Sequence, residues 1–323
     1  MVTKIRLLKL LADGRFHSGE ALGHSLGISR TMVWKHIQTL QTLGIDCYSV
    51  SGKGYRLARP VELLEPQAIE AALGDKTLPL LSALELHPEI HSTNRHLMER
   101  LGLLSSGHAC LAERQTAGRG RRGREWISPF ARNIYLSLYW RFDMSPALLS
   151  GLGLAVGVAV MRALRQLDID NAALKWPNDV LWQGRKLAGI LLEMSGESGG
   201  PYHVVIGIGM NVNMVDEGIA IDQPWVSLSQ IAAQPLPRNL IAGVLLHHLL
   251  ECAQQFQSGG LEPFLSEWQQ ADAYAGQEVA IHLGDNTIIG QARGIDPSGA
   301  IIVEVDGGLR RFYSGEVSMR PVV

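Results

Sequence analysis

A run of alternating glycines and arginines is the feature of this sequence with the clearest chemistry. Residues 118–124 read Gly-Arg-Gly-Arg-Arg-Gly-Arg, in a chain of 323 residues whose formal net charge is −2. Four guanidinium groups this close repel one another and are too costly to bury unpaired. Arginine can bind a phosphate through two parallel hydrogen bonds, and glycine leaves the backbone free to move. The run predicts a mobile loop over an anionic ligand, most simply a nucleotide phosphate; a solvated basic turn and a nucleic-acid patch are the alternatives.

The same glycines, Gly118, Gly120 and Gly123, also match the dinucleotide-binding pattern G-x-G-x-x-G. That pattern requires a helix directly after the third glycine, because the pyrophosphate is bound at the N-terminus of this helix. The residues that follow, Glu-Trp-Ile-Ser-Pro-Phe at 125–130, do not favour the start of a helix. A dinucleotide site of the Rossmann type is therefore rejected.

A second concentration of polar groups lies at 174–180, which reads Leu-Lys-Trp-Pro-Asn-Asp-Val. Lys175 can neutralise a phosphate or carboxylate, and Asp179 can help to hold Mg²⁺ beside it. A turn through Asn178 and Asp179 with a surface lysine explains the same residues equally well.

Two predicted strands carry small residues where a ligand could lie against the backbone. Lys186 stands at the start of one strand and is followed by Ala188 and Gly189; the other strand ends in Gly-Ile-Gly-Met-Asn at 207–211. Glycine inside a strand is typical of close approach by another group, here a flat ligand, or of a bulge. Both interpretations are open from the residues alone.

The triplet Ser92-Thr93-Asn94 precedes an amphipathic run that extends to Leu101. From the residues alone, a helix N-cap is the favoured interpretation, because serine, threonine and asparagine accept hydrogen bonds from the first helical N–H groups. Hydrogen bonds to a small polar ligand group are the alternative.

The first sixty residues form a unit of their own. Apolar residues at helical spacing predict a helix up to residue 13, a second from Ser18 to Gly27 and a third that begins at Ser29. After Gly44 the apolar period changes to two on either side of a turn at 52–54, which predicts a hairpin. The pattern is that of a winged helix-turn-helix domain, residues 1–60.

In such a domain the third helix enters the major groove of DNA and the wing lies along the backbone. We expect DNA contacts from the exposed residues of that helix and from basic residues of the wing: Ser29, Arg30, Thr31, Trp34, Lys35, Lys53 and Arg56. Protein docking is the alternative, but basic groups on both elements favour DNA. A domain this small and mildly basic is expected to bind an operator as a dimer.

The rest of the chain predicts two further domains. A proline-containing linker, residues 61–66, leads to a mixed α/β domain at 67–270. The region 271–323 contains four short predicted strands separated by turns rich in glycine and aspartate, which predicts a small β-barrel of the Src-homology-3 type. The predicted fold class is α+β with several domains.

The composition of the chain argues against a membrane protein, a secreted protein and a disulfide-rich protein. The most apolar segment, 148–160, is shorter than the roughly 20 residues of a membrane span and is interpreted as a buried helix. The N-terminal residues lack a secretory pattern. Cys47, Cys110 and Cys252 are isolated and odd in number, which predicts a reducing cytoplasm and argues against a disulfide framework or a zinc site.

Four motifs occur in the order that is typical of biotin protein ligases: Gly118–Arg124 followed by Trp126, then Lys175–Asp179, Arg185–Gly189 and Gly207–Asn211. With the N-terminal winged helix, the whole chain resembles the bacterial family of bifunctional biotin ligases and biotin operon repressors. The resemblance implies formation of biotinyl-5′-AMP from biotin and ATP with Mg²⁺, and transfer of biotin to a lysine of the biotin carboxyl carrier protein of acetyl-CoA carboxylase. It also implies biotin operator DNA as a partner and a homodimer promoted by biotinyl-5′-AMP.

The resemblance assigns roles to individual residues. Lys186 and Arg121 would be catalytic, and Asp179 would bind the metal. The biotin site would comprise Ser92, Thr93, Asn94, Gln115, Arg119, Gly120, Arg121 and Lys186. The nucleotide site would comprise Arg121, Lys175, Asn178, Asn211 and Trp225, the last packing on the adenine, and the loop 215–224 would be ordered by ligand.

Two alternatives to this function remain open. One is a ligand-sensing DNA-binding regulator whose ligase domain is inactive, which the intact Arg119–Arg124 run and Lys186 argue against. The other is a ligase with a vestigial winged helix. Both steps of the implied reaction bring negative groups together or build negative charge in the transition state, so positioned cations and Mg²⁺ are the main catalytic resource. No enzyme nucleophile is required.

Overall fold

The computed structural model describes residues 2–197, 200–216, 221–284, 286–314 and 317–321. Its N-terminal unit is the predicted winged helix-turn-helix, with α1 (Val2–Leu11), α2 (Gly19–Leu26), α3 (Arg30–Gln41), β1 (Cys47–Val50) and β2 (Gly54–Leu57). Ser18 and Ser29 cap α2 and α3, since their hydroxyls accept hydrogen bonds from Ala21 N at 3.0 Å and Met32 N at 3.3 Å. Between the helices Gly27 adopts φ = 68°, a left-handed conformation that glycine enters without strain.

The core of this unit extends beyond residue 60. Val61 and Leu63, from the predicted linker, are buried in it. So are Phe130 and Ala131, which follow the arginine loop in the sequence. The segment 61–66 is therefore not a free connector: it is packed between the winged helix and the central domain. The prolines around this segment predicted a break in regular secondary structure, but they do not indicate whether the segment is buried.

The central domain is built on one mixed sheet. Its helices and strands, in chain order, are α4 (Pro66–Glu70), β3 (Ala83–His87), α5 (Thr93–Met98), β4 (His108–Ala112), β5 (Ile134–Phe142), α6 (Pro146–Leu149), α7 (Leu152–Gln166), β6 (Ala172–Lys175), β7 (Asp179–Trp182), β8 (Arg185–Gly196), β9 (Tyr202–Met210), α8 (Leu228–Ile231), α9 (Arg238–Gly259) and α10 (Leu265–Ala271). The seven strands lie in the order β3-β4-β5-β9-β8-β7-β6. Strands β3 and β4 are parallel, and every other neighbouring pair is antiparallel.

Helices α7 and α9 pack against each other and belong to the main hydrophobic core. In the described part of the chain, one helical stretch, Pro146–Gln166, is long and apolar enough to cross a membrane, but 72% of its apolar window is buried. This confirms the prediction of a buried helix at 148–160. Helix α5 ends at Met98, and residues 101–103 form a separate 3-10 turn, so the predicted single helix through Leu101 is broken.

The C-terminal domain is a five-stranded antiparallel sheet. It comprises β10 (Glu278–Leu283), β11 (Asn286–Ile295), β12 (Ile301–Val305), β13 (Gly308–Phe312) and β14 (Val317–Pro321), in the order β13-β12-β11-β10-β14. The four predicted strands are confirmed, and β14 was not predicted. Trp176 joins this domain to the central one, because its buried indole N–H donates to the carbonyl oxygen of Gly299 at 3.1 Å. Asp285, within one predicted turn, lies outside the described residues.

Candidate active site

A pocket lies where the arginine loop, the connection between β6 and β7, and strands β8 and β9 meet. Its volume is about 410 Å³, and Met319 and Arg320 of β14 contribute to its wall. Every residue predicted for the biotin, nucleotide and metal sites lines it: Ser92, Thr93, Asn94, Gln115, Arg119, Gly120, Arg121, Lys175, Asn178, Asp179, Lys186, Asn211 and Trp225. Residues that are far apart in the sequence are thus brought to one cavity.

Glycines of β8 and β9 admit Trp126 against the sheet. Gly189 and Gly209 are partners in the antiparallel register, and a Cβ built on Gly209 would lie 2.3 Å from Trp126 Cε2. On Gly189 the nearest atom would be Trp126 Cζ3 at 3.0 Å. The flat group against these glycines is therefore the chain's own indole, and the described β8–β9 register is continuous, without the alternative bulge. Trp126 forms part of the pocket wall.

The neutral end of the pocket is a network of hydroxyl and amide groups. Thr93 N donates to Gln115 Oε1 at 2.9 Å, and the Ser137 hydroxyl lies 2.7 Å from Thr93 Oγ1 and 2.6 Å from Asn94 Oδ1. Asn94 takes the space left by the missing side chain of Gly207, where a Cβ would lie 2.1 Å from Asn94 Oδ1. Ser137 was not among the predicted residues, since a lone serine inside an apolar strand gives no signal of its own.

Ser92 has the structural role that the sequence favoured. Its hydroxyl accepts a hydrogen bond from Arg95 N at 3.5 Å and caps α5. The side chain is also buried and lies at the pocket wall, so the cap and the predicted ligand contact are compatible.

The arginine loop folds back on itself as a short hairpin. Gly120 N donates to Arg124 O at 2.7 Å, and Trp126 N donates to Gly118 O at 2.9 Å. The loop contains a 3-10 turn at Arg121–Gly123, and residues 125–129 that follow are not helical, which confirms the rejection of the dinucleotide fingerprint. Arg119 forms an ion pair with Glu193, at 2.9 Å from Oε1 and 3.1 Å from Oε2.

Arg121 bridges two domains across the pocket. Its guanidinium donates to Asn178 Oδ1 at 3.2 Å and to the carbonyl oxygen of Ser314 in the C-terminal domain. Burial and the neighbouring Arg122 lower the pKa of Arg121, because both disfavour its positive charge. An anion bound beside this guanidinium would relieve that cost.

Two lysines and one carboxylate form the charged end of the pocket. Lys186 Nζ lies 2.7 Å from Asp179 Oδ1, and Lys175 Nζ lies 3.9 Å from Asp179 Oδ2. Lys186 Nζ also lies 5.5 Å from the centroid of the Trp126 ring, within the range of a cation–π contact. Burial lowers the pKa of Lys175, with the Asp179 carboxylate opposing this effect. The arrangement places two positive charges within 3.9 Å of one carboxylate, Asp179.

Asn211 and Trp225 have structural contacts that the sequence did not reveal. The Asn211 amide donates to the carbonyl oxygens of Val226, at 3.2 Å, and Lys186, at 3.4 Å, which ties the strand end to the following loop. Trp225 pairs with Lys186 through a parallel β-bridge. Of the predicted ligand-ordered loop 215–224, residues 217–220 lie outside the described residues.

Glu193 and Arg320 are charged residues of the pocket region that were not predicted as site residues. Glu193 accepts hydrogen bonds from both Arg119 and Asn94, and so connects the arginine loop to the neutral end. Its position four residues after Gly189, on the same strand face, was the available signal. Arg320 belongs to β14, and nothing in its sequence neighbourhood indicated that this strand would lie beside the pocket.

The predicted DNA-contacting residues of α3 are exposed: Ser29, Arg30, Thr31, Trp34 and Lys35. Lys53, at the wing tip, is exposed as well. Arg56 is different, because its guanidinium lies 4.9 Å from the Phe16 ring centroid and 5.3 Å from that of Tyr48. It packs on two aromatic rings and does not extend freely from the wing.

Comparison with known proteins agrees with this architecture. The model of the biotin/lipoate A/B protein ligase family matches residues 86–211, that of the biotin protein ligase C terminal domain matches 274–320, and that of an HTH domain matches 3–56. The chain is 45% identical to the bifunctional ligase/repressor BirA of Salmonella typhimurium, over 98% of this chain and 97% of that protein. It is 33% identical to the protein of the same name from Bacillus subtilis, over 95% of each.

Among solved structures, the biotin protein ligase from Aquifex aeolicus in complex with biotin and ATP superposes with a TM-score of 0.66. The identity is 30%, and the match covers 75% of this chain and all of that one. The pocket, the three domains and these relatives agree: the chain belongs to the biotin protein ligase family, and within it to the bifunctional ligase/repressor BirA proteins.

Proposed function

We propose that this pocket joins biotin to AMP and that the chain then transfers biotin to a lysine of a biotin carboxyl carrier protein. The observation that carries the proposal is the polarity of the cavity. Hydroxyl and amide groups around Thr93 and Gln115 lie at one end, and Lys186, Lys175 and Arg121 lie at the other. A neutral ureido ring fits the first part, and a nucleotide phosphate together with the carboxylate at the end of the apolar biotin tail fits the second.

In the first step, a carboxylate oxygen of biotin attacks the α-phosphorus of ATP, and the bond to the bridging oxygen of pyrophosphate breaks. Negative charge accumulates on the α-phosphate in the transition state. Lys186 is the cation best placed to stabilise it, because its Nζ is already held between Asp179 and Trp126. Preorganised charge of this kind is the main source of catalysis in a reaction without an enzyme nucleophile.

In the second step, the neutral amine of the acceptor lysine attacks the acyl carbon of biotinyl-5′-AMP. An amide forms, AMP leaves, and the amine proton passes to solvent. Water would hydrolyse the same anhydride, so a closed arginine loop protects the intermediate. Two arginines of the loop can hold it closed. Arg119 pairs with Glu193, and Arg121 donates hydrogen bonds to Asn178 and to the carbonyl oxygen of Ser314.

The residues present fit a magnesium ion at the charged end. Asp179 and Asn178 present hard oxygen donors beside the proposed phosphate position, and Asp179 Oδ2 is 3.9 Å from the Lys175 nitrogen. Bound there, Mg²⁺ would neutralise phosphate charge. Asp179 also holds Lys186 in place, so this carboxylate has a positioning role of its own.

Arg121→Gly is expected to raise the dissociation rate of biotinyl-5′-AMP about tenfold or more, because a charge-assisted hydrogen bond contributes about 1.5–3 kcal/mol. Biotin affinity should change less, since Arg121 lies at the phosphate end. Arg114→Gly is the control: it removes the same charge from a position just before the loop, where Arg114 pairs with Glu89 at 3.2 Å and does not line the pocket. Adenylate release at the wild-type rate from Arg121→Gly would contradict the assignment.

We propose further that biotinyl-5′-AMP promotes a homodimer that binds operator DNA. A ligand does this only when it binds the dimer better than the monomer. The segment 126–131 supplies a physical link, because Trp126 lines the pocket and Phe130 is buried in the core of the winged helix. Closure of the arginine loop can therefore shift a segment that contacts the DNA-binding unit.

The variant Arg30→Ala/Lys35→Ala is expected to weaken operator binding and to reduce the slope of log affinity against log salt by about 0.9 for each phosphate that it no longer neutralises. Lys76→Ala, an exposed charge on the central domain, is the control. The measurement is a salt titration of operator retention in the presence of biotin and ATP. An unchanged salt slope would favour a vestigial winged helix.

A further inference from the structure

A second group of polar side chains lies at the outer edge of the central sheet. Glu85 and His87 alternate along β3, His108 and Cys110 alternate along β4, and the parallel register places Cys110 opposite Glu85. Because residues two apart on a strand share a face, these four side chains lie on one face of the strand pair. Helix α5 adds His96, whose Nε2 lies 2.7 Å from Glu85 Oε2.

The geometry of this group is that of a metal site. One ligand atom from each of Glu85, His87, His96 and Cys110 lies within 4.8 Å of the others. Glu85 Oε2 is 3.2 Å from His87 Nε2 and 2.7 Å from His96 Nε2. In a tetrahedral site with bonds of about 2.0–2.3 Å, the ligand atoms are about 3.3–3.8 Å apart. Small side-chain movements therefore convert this arrangement into a coordination shell.

Two contacts of His96 make opposite demands on one ring nitrogen. Its Nε2 lies 2.7 Å from an oxygen of Glu85, which can only accept a hydrogen bond, and 2.7 Å from Arg100 Nη1, which can only donate one. One ring nitrogen cannot satisfy both contacts. A metal ion would replace the contact between His96 and Glu85, because His96 Nε2 and Glu85 Oε2 would then both direct lone pairs at the same cation. Arg100 Nη1 would turn away from His96 and keep its hydrogen bond to Glu85 Oε1, at 2.7 Å.

The other carboxylate oxygen is already supported. Glu85 Oε1 lies 2.7 Å from Arg100 Nη1 and 2.7 Å from His108 Nε2. Hydrogen bonds to the second oxygen of a ligating carboxylate orient it and are typical of the surroundings of metal centres. Arg100 and His108 thus supply the outer contacts of such a site.

We propose that Glu85, His87, His96 and Cys110 bind one divalent transition-metal ion, and that Zn²⁺ is the ion best matched to this nitrogen, oxygen and sulfur donor set. His87 and His96 are 31% and 25% exposed, so the ion can enter from solvent. Cys110 is fully buried and releases its thiol proton when the metal–sulfur bond forms. The ligands of the proposed ion come from β3, β4 and α5, and only one of them is a cysteine. The spacing of cysteines in the sequence therefore gave no sign of a zinc site.

Metal binding at this position would stabilise α5. His96 lies on the same short helix as Thr93 and Asn94, which form the neutral end of the pocket. A cation shared between this helix and β3 binds the folded state and not the unfolded one, so it raises the midpoint of thermal unfolding. This consequence is independent of ligase activity.

The test uses the untagged full-length protein, freed of metal by a chelator and then titrated with Co²⁺ or Zn²⁺ in excess Mg²⁺. Magnesium prefers oxygen ligands and occupies carboxylate sites such as Asp179. Wild-type protein is expected to show a sulfur-to-cobalt charge-transfer absorption that Zn²⁺ abolishes, and to unfold at a higher temperature with Zn²⁺. His87→Gln/His96→Gln should bind Zn²⁺ at least about tenfold more weakly.

Two further variants make the result specific. Cys110→Ser should lose the charge-transfer absorption while Glu85 and the histidines still retain Co²⁺. The control His247→Gln/His248→Gln removes two histidines from a second group, His247, His248 and Glu251, whose candidate ligands include no cysteine, and should retain the absorption. The proposal is overturned if wild-type protein shows no charge-transfer absorption, or if His87→Gln/His96→Gln retains it undiminished.

Discussion

Lys186→Ala is expected to lower the rate of biotin-dependent pyrophosphate release about 10²–10³-fold, the loss typical when one preorganised stabilising group is removed from a transition state. The side chain is 15% exposed, and its ammonium lies 2.7 Å from Asp179 and 5.5 Å from the Trp126 ring centroid. Alanine removes the positive charge and also leaves Asp179 with Lys175, at 3.9 Å, as its nearest cation. The carboxylate would then repel both biotin and the phosphate.

The matched control for this variant is Arg185→Ala, the adjacent cation on β8. Arg185 packs on Trp182, at 5.4 Å from the ring centroid, and does not line the pocket. Its removal should leave pyrophosphate release within a factor of about two, while thermal unfolding checks that both variants are folded. Pyrophosphate release by Lys186→Ala at the wild-type rate would remove Lys186 from the catalytic role.

Gly209→Ala is expected to weaken biotin binding by about 10²-fold and to lower the free energy of unfolding by about 1–3 kcal/mol, the usual cost of overpacking. The added methyl group would lie 2.3 Å from Trp126 Cε2, a separation that the two atoms cannot adopt. The indole must therefore leave the sheet and move towards the cavity. Calorimetric titration measures the biotin affinity, and denaturant unfolding followed by tryptophan fluorescence measures the free energy of unfolding.

A helical glycine of the same domain provides the control. A Cβ on Gly153 in α7 would have its nearest neighbour, Leu192 Cδ1, at 3.6 Å, which is an ordinary van der Waals distance. Gly153→Ala should leave biotin affinity unchanged and should not destabilise the protein, because alanine favours a helix. Unchanged biotin affinity in Gly209→Ala would show that Trp126 does not shape the site.

The features that the sequence predicted well depend on neighbouring residues. Ser18 and Ser29 accept hydrogen bonds from N–H groups three residues later, so each helix cap of the first domain depends on a segment of only four residues. The strands of the C-terminal domain are set by short turns for the same reason. The role of Gly118–Arg124 in the pocket was expected from the density of its charges, although its partners were not.

The features that escaped prediction depend on tertiary packing. Nothing next to Gly209 in the sequence indicates that Trp126 lies against it, and the pairing of Arg119 with Glu193 joins residues 74 positions apart. Arg56 was predicted as a phosphate contact because it is a basic residue on a wing, and its packing on Phe16 and Tyr48 was not predictable from that position. Such partners are fixed only when the strands and domains assemble.

The same distinction applies to the regulatory part of the account. The winged helix could be predicted from residues 1–60 alone. The connection between the winged helix and the pocket depends on Phe130, a residue of the central domain that is buried in the core of the winged helix. A polar residue in place of Phe130 would place unsatisfied groups in that core, so it cannot serve as a clean test of coupling. Dimerisation measured with and without biotin and ATP is the suitable readout.

The central claim is that the pocket makes biotinyl-5′-AMP and delivers biotin to a carrier lysine. It is tested most directly by incubating the protein with biotin, ATP, Mg²⁺ and a biotin carboxyl carrier domain, and following the mass of the carrier. The expected result is the addition of one biotin per carrier, dependent on ATP and strongly reduced with Lys186→Ala. If the carrier stays unmodified while the protein still binds biotin and operator DNA, the chain is a ligand-sensing regulator with an inactive ligase domain.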